Sequence, residues 1–124
     1  DVDVLATRAS GAAAVMLWNY ADSDATRPGA AAHVTITGVP PGAGRVLVER
    51  FLIDDTHSNA FTAWKGMGSP RQPTPEQMSQ LKRAGQLQPS ASPQWITATN
   101  GRLELDIDLP AQSVALLRLS WQGR

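Results

Sequence analysis

The segment Asp54 to Asn59, with the sequence DDTHSN, concentrates side chains that could perform chemistry. Its two carboxylates, the imidazole of His57 and the hydroxyl of Ser58 are the group types of a base, a nucleophile and an orienting acid. However, neighbours in sequence rarely converge on one point, and the chain has no G-x-S-x-G or H-E-x-x-H motif. Asp, Ser and Asn are also typical of turns and helix caps. We therefore favour turn bonds for Asp54 and Asp55, and a helix cap at Ser58 or Asn59.

A second set of acids, Glu104, Asp106 and Asp108, alternates with leucine and isoleucine. Residues two apart on a strand lie about 6.5–7 Å apart. That spacing falls within the range of about 6.5–9.5 Å used by inverting glycosidases. A catalytic pair, however, must flank a substrate and include a buried acid with a raised pKa. Strict alternation with apolar residues instead predicts a solvated face of a strand.

The composition gives little support for a metal site, a cofactor site or nucleic-acid binding. The two histidines, His33 and His57, have no partner at metal-ligand spacing, and there is no cysteine. No glycine motif for binding phosphate is present, so we expect no metal and no cofactor. Eleven Lys and Arg balance eleven Asp and Glu, which gives no electrostatic reason to expect nucleic acid or a membrane as partner. No apolar run approaches the ~20 residues that span a bilayer.

Five aromatic side chains are the remaining candidates for binding: they could stack against sugar rings, or belong to a core or an interface. Apolar neighbours surround each tryptophan in the sequence, which favours the core or an interface. The five residues are Trp18, Phe61, Trp64, Trp95 and Trp121.

The elements that must position these residues are mostly strands. The strand segments read VDVLATR, AAAVMLWNY, HVTITGV, RVLVERFLI, TAT, RLELDIDL and QSVALLRLSW. Asn100-Gly101 predicts a type I′ hairpin turn. Thr74, Pro75 and Gln77 form the opening of a capped helix, which Gly85 can end. The sequence predicts one all-β domain over residues 1–124, an antiparallel β-sandwich of about seven strands with a short helical insertion at about residues 59–85.

Two strands are apolar on both faces. The second strand has Met16 and Trp18 on one side and valine and leucine on the other, and Val114 and Leu116 are placed similarly in the last strand. A two-layer sandwich buries only one face of each sheet. We therefore expect the outer face to be covered by the helical insertion or by another domain.

The stretch from Gly38 to Leu87 contains VPPG, RFLID, THSNAF, AWKGMGSP and PTPEQ in this order, and LPAQSVALLRLSW follows near the end of the chain. These motifs give the chain a resemblance to glycoside hydrolase family 39, which includes β-xylosidases and α-L-iduronidases. The resemblance implies the β-sandwich that follows a (β/α)₈ catalytic barrel, with a strand taken from the segment before the barrel. It also implies a retaining mechanism with two barrel glutamates, one of them in an Asn-Glu pair. This chain has no Asn-Glu pair, so no catalytic residue is transferred to it.

The resemblance implies that the chain is a fragment without its upstream barrel. We therefore expect that barrel as its partner and, through the parent enzyme, a xylo-oligosaccharide-type substrate. The segment that we expect to face the barrel comprises Asp54, Asp55, His57, Ser58 and Asn59. The favoured function is a non-catalytic accessory domain that orients the barrel and shapes the rim of its active site. An independent carbohydrate-binding module and a small hydrolase that uses Asp54, Asp55 and His57 are the alternatives.

Overall fold

A computed structural model describes residues 2–21 and 28–122. Eight strands are present in this part of the chain: β1 (Val2–Ala9), β2 (Ala12–Asn19), β3 (Ala30–Ile36), β4 (Arg45–Ile53), β5 (Gln88–Pro89), β6 (Gln94–Thr97), β7 (Leu103–Leu109) and β8 (Ser113–Ser120). Two helices, α1 (Ala60–Gly66) and α2 (Pro75–Ala84), lie between β4 and β5. The structure confirms the antiparallel β-sandwich and its helical insertion, with one strand more than the sequence predicted. Most of the polar loop between β2 and β3 lies outside the described residues.

The strands form two sheets of unequal size. The large sheet has the order β1-β2-β8-β4, and both β5 and β6 pair with the far edge of β4. The small sheet pairs β3 with β7 over seven residues, Ala30 opposite Leu109 to Ile36 opposite Leu103. All described strand pairs are antiparallel, in agreement with the short connections in the sequence.

The core lies between the inner faces of the two sheets. In β7 every second residue is buried, and the acids between them are exposed, as the alternation predicted. The large sheet contributes inward-facing side chains from β2, β4 and β8, which alternate with the outer residues along each strand. The most completely buried apolar side chains are Leu103, Leu109, Leu117, Leu119, Val46 and Val48.

The helical insertion begins and ends at the residues that the capping signals indicated. Asn59 accepts a bond from the main-chain N–H of Thr62 and so caps α1. At the start of α2, Thr74 Oγ1 accepts from the N–H of Gln77, whose side chain accepts from the N–H of Thr74. This reciprocal pair of bonds satisfies two N–H groups that have no partner within the helix.

The turn at Asn100-Gly101 has the predicted geometry, but its two arms do not continue as a pair of neighbouring strands. Both residues have positive φ, 54° and 73°, as a type I′ turn requires. Next to the turn, the two arms pair through a single antiparallel bridge between Thr99 and Arg102. The two arms then diverge, since β6 joins β4 in the large sheet whereas β7 joins β3 in the small sheet. The predicted type I′ turn is therefore confirmed, and it forms a corner between the layers because its two arms continue into different sheets.

The two edges of the small sheet differ. Arg50 crosses from the large sheet, and its Nη1 donates to the main-chain oxygen of Asp106 on β7 (3.1 Å). The edge of β3 has no neighbouring strand among the described residues. It borders a groove of about 650 Å³ that is lined by β1, β2 and β3, with Val15 and Leu17 in its floor. An open edge beside an apolar groove is a place where a further strand can pair.

Candidate functional site

Asp54 organises the connection between β4 and α1. Its Oδ1 accepts from the main-chain N–H groups of Thr56 (2.9 Å) and His57 (2.8 Å). The same oxygen lies 2.9 Å from Nδ1 of His57, and the Asp54 side chain is only 10% exposed. Burial raises the pKa of this carboxyl, but the bonds from His57 and Thr56 outweigh that effect and hold the pKa below its usual value. Because the ionised carboxylate can only accept, Nδ1 of His57 carries the proton in this contact.

Ser58 and Asn59 fasten the same connection to its neighbours. Ser58, with φ of 56°, donates from Oγ to the main-chain oxygen of Leu52 and accepts from the N–H of Gln88, both at 2.8 Å. It therefore joins the end of β4 to β5. Asn59 caps α1 with its oxygen and donates from Nδ2 to the main-chain oxygen of Asp54 (3.0 Å). The segment is a turn held by hydrogen bonds within itself and to β4 and β5.

These bonds determine what the segment can do chemically. The Asp54–His57 pair has the geometry of an acid that orients an imidazole. The Ser58 hydroxyl, however, uses its proton on Leu52 and a lone pair on Gln88. Asp55 is exposed and has no side-chain bond within the described residues. The structure thus brings together four of the five predicted residues as a scaffold, and it leaves Asp55 apart from them.

The five aromatic side chains do not form one cluster, although two of them stack on each other. Trp121 packs against the core, Trp18 is half-buried, and Trp95 is 54% exposed with the Arg45 guanidinium 5.1 Å from its ring centroid. Phe61 and Trp64 stack with centroids 5.7 Å apart, and Trp64 Nε1 donates to the oxygen of Pro70. The ammonium group of Lys65 lies 4.8 Å from the centroid of the Phe61 ring. A coplanar pair of exposed tryptophans would favour a sugar-binding module, and among the described residues no two tryptophans stack.

The outer face of the large sheet carries a contiguous apolar surface. Cross-strand partners lie on the same face, and the registers place Trp18 beside Val114 and Met16 beside Leu116. The neighbouring strands extend both rows, and three side chains remain well exposed: Leu5 (54%), Ile53 (41%) and Met16 (36%). We call this surface the outer apolar face; its residues are Leu5, Met16, Trp18, Phe51, Ile53, Val114 and Leu116.

The outer apolar face and the DDTHSN segment are continuous. Ile53 is the last residue of β4 and lies on the face, and Asp54 follows it directly. The corner of the sheet therefore presents an apolar surface with a polar turn along one side. The sequence pattern indicated the contributions of β2 and β8 but not those of Leu5, Phe51 and Ile53. Their membership depends on which strands are neighbours, and no local pattern encodes that.

Within residues 2–21 and 28–122, no group of three acids or histidines converges in a way that could hold a metal ion. No helix in that part of the chain is long and apolar enough to cross a membrane.

Comparison with known proteins identifies the class to which this sandwich belongs. The model of the glycosyl hydrolases family 39 matches residues 1–104, so the chain belongs to that family. A β-xylosidase of Geobacillus stearothermophilus is 28% identical over 120 residues, which is 94% of this chain and 22% of the β-xylosidase.

Solved structures show the same fold. A bacterial orthologue of human α-L-iduronidase superposes with a TM-score of 0.81 at 21% identity, over 96% of this chain and 22% of that one. The GH39 enzyme of Xanthomonas axonopodis pv. citri superposes with a TM-score of 0.79 at 20% identity, over 94% of this chain and 25% of that one. The chain thus spans about a quarter of the length of these relatives, in agreement with a domain of a larger enzyme.

Proposed function

We propose that this chain is the non-catalytic accessory β-sandwich of a retaining, β-xylosidase-like glycoside hydrolase. It stabilises and orients a catalytic barrel of the same parent chain, and the DDTHSN segment forms part of the rim of the active site. The substrate, a xylo-oligosaccharide, is bound by the parent enzyme. Membership of the family and the coverage of about a quarter of its relatives support this proposal.

The observation that carries the proposal is the outer apolar face. Leu5, Met16 and Ile53 expose 54%, 36% and 41% of their surfaces in the chain by itself. Large apolar patches on soluble proteins mark surfaces that meet another protein or domain. Domain interfaces within one chain cover about 600–1,500 Å². A barrel packed on this sheet would cover these side chains, and would place the polar turn after Ile53 beside it.

The groove beside β3 supports the same proposal. An extended segment of the parent could pair with the free edge of β3 and cover the apolar side chains of β1 and β2. The strand that the resemblance implies, taken from the segment before the barrel, has the right form for this place. The parent chain would then hold the sandwich at two places, the groove and the outer apolar face.

The test uses lysine on the outer apolar face of the complete parent enzyme. Leu5→Lys and Met16→Lys change side chains that are already partly in water, so the sandwich itself should fold. If a barrel packs on this face, each new lysine buries a charge in the interface, which costs several kcal/mol. We expect the unmodified parent to unfold in one cooperative transition in calorimetry, and each variant to show separate transitions for the sandwich and the barrel.

A matched control is Ala31→Lys, an exposed strand position on the outer face of the small sheet. This variant should unfold like the unmodified parent. If Met16→Lys and Ala31→Lys behave alike in the parent, the outer apolar face does not meet the barrel and the proposal is wrong.

The catalytic part of the proposal is tested with the 124-residue chain. It should not hydrolyse aryl β-xylosides, because the committed bonds of Ser58 and the isolation of Asp55 leave no nucleophile–base set in the DDTHSN segment. Turnover that survives repurification and disappears in a His57→Ala variant would favour the small hydrolase instead.

The binding-module alternative rests on the exposure of Trp95. Calorimetric titration of the chain with xylo-oligosaccharides should show no saturable binding at micromolar concentration. Binding that is lost in Trp95→Ala would replace the accessory role by carbohydrate recognition.

A further inference from the structure

The outer face of the small sheet contains a histidine between two acids. His33 on β3 lies directly opposite Asp106 on β7, and Glu104 lies diagonally opposite on the same face. Nδ1 of His33 is 2.8 Å from Oδ1 of Asp106, and Nε2 is 3.4 Å from Oε1 of Glu104. The imidazole thus connects one strand of the small sheet to two positions on the other.

This geometry sets the protonation state of the imidazole. Ionised carboxylates only accept hydrogen bonds, so a ring nitrogen that faces one must donate. A neutral imidazole has one N–H group and can serve one of the two acids; its other nitrogen would then present a lone pair to a carboxylate. Both contacts are favourable only when His33 is doubly protonated.

The charges around this cluster are mostly negative. Asp108 shares the outer face of β7 and lies opposite the uncharged Ala31. Across the groove, β1 contributes one acid and one base, Asp3 and Arg8. From the opposite side, Arg50 binds the main-chain oxygen of Asp106 and leaves that carboxylate to the histidine. When His33 is neutral, three acids on the face of β7 have no cation opposite them on β3.

We propose that His33 is a proton-dependent clamp on β3: when protonated it ties β3 to β7, and its deprotonation releases that tie. The strand that responds is the one whose other edge borders the groove. The stability of β3, which lines the groove, therefore depends on pH. This pH dependence is a property in addition to the proposed accessory role in orienting a barrel.

The direction of the effect follows from linkage. Hydrogen bonds from the imidazole to Asp106 and then to Glu104 raise the pKa of His33 above its ordinary value of 6.5. A histidine with a raised pKa in the folded state contributes stability that is complete below about pH 6.5. That contribution is lost as the pH rises through the folded-state pKa. Salt should weaken the clamp, because the side chains of His33 and Glu104 are more than half exposed.

The first experiment is an NMR titration of the imidazole signals in the 124-residue chain and in the whole parent enzyme. In the 124-residue chain, which has two histidines, the spectrum of His33→Gln assigns the remaining signal to His57. In the parent enzyme, the signal that disappears in His33→Gln is the signal of His33. We expect His33 to titrate above 6.5, and Asp106→Asn to shift its titration downward. A His33 that titrates at 6.5 or below, or whose titration Asp106→Asn leaves unchanged, would overturn the proposal.

The second experiment measures how much His33 contributes to the stability of the fold at two pH values. The difference in urea midpoint between the unmodified protein and His33→Gln should be larger at pH 5.5 than at pH 8.5, and smaller in 1 M NaCl. Gln is neutral at both pH values, so the difference isolates the imidazole from all other titrating groups. An equal difference at the two pH values contradicts the clamp. If His33→Gln does not fold, Asp106→Asn replaces it in the same comparison.

Discussion

Replacing Asp54 should affect the domain far more than replacing its neighbour Asp55. The Asp54 side chain is 10% exposed, and its Oδ1 accepts from two main-chain N–H groups and from Nδ1 of His57. Asp55 is exposed and makes no side-chain bond in the described part of the chain. The two positions carry the same chemical group, so the comparison isolates the bonds.

The magnitude follows from those bonds. A hydrogen bond to a charged group contributes about 1.5–3 kcal/mol to folding. When the carboxylate is removed, the exposed N–H of Thr56 can form a hydrogen bond to water instead. The main-chain N–H and Nδ1 of His57 are partly buried, so water can replace their bonds only in part. We expect Asp54→Ala to lower the free energy of unfolding by about 2–3 kcal/mol. Asp54→Asn keeps an acceptor and should cost about 1 kcal/mol, and Asp55→Ala less than about 0.5 kcal/mol.

The assay is urea unfolding followed by tryptophan fluorescence, in the 124-residue chain and in the parent enzyme. In the parent, Asp54→Ala should raise KM or lower stability while kcat falls little, because the group positions a rim and breaks no bond. Equal stability losses for Asp54→Ala and Asp55→Ala would refute the reasoning on the turn. A loss of kcat by about four orders of magnitude at unchanged stability would instead indicate a catalytic group.

Three further predictions test the described structure. The stability that Asp54 contributes should be complete above about pH 3.8 and be lost as the pH falls through its lowered folded-state pKa, so unmodified protein and Asp54→Asn should converge in acid urea titrations. Thr74→Ala removes the capping box and should cost about 0.5–2 kcal/mol in urea unfolding, whereas Ser79→Ala in the middle of the same helix should cost nothing. Gly101→Ala should lower the thermal midpoint, because φ is 73° and the new Cβ would lie 3.1 Å from a main-chain oxygen; Gly66→Ala, in open space on α1, should raise it.

Sequence reasoning succeeded where the signal is local. The caps at Asn59 and Thr74 involve groups within three residues of each other, so residue type and spacing determine them. The alternation along β7 likewise determines which side chains are buried. The turn bonds of Asp54 could be predicted for the same reason. The turn bonds expected of Asp55 are absent among the described residues, and Ser58 bonds to Leu52 and Gln88 instead of capping α1.

The rest could not be predicted, because it depends on pairing between distant segments. The Asn100-Gly101 turn was recognised, but nothing near it indicates that its two arms enter different sheets. Leu5 and Phe51 belong to the outer apolar face because β1 and β4 lie on either side of the β2–β8 pair. The contact between His33 and Asp106 also joins residues far apart in the chain, so spacing along the sequence gives no sign of it.

The position of β8 has a consequence for biosynthesis. This strand lies between β2 and β4 in the large sheet, yet it is the last strand of the chain to be synthesised among those described. Until Ser113–Ser120 has left the ribosome, the earlier strands of the large sheet would be divided into two groups, β1-β2 and β4 with β5 and β6, and one edge in each group would lack its partner. Sheets closed by such distant pairings form slowly, and unpaired edges promote aggregation in the meantime. A nascent chain halted before residue 113 should therefore remain protease-sensitive and dependent on chaperones, even though most of its sequence is already present.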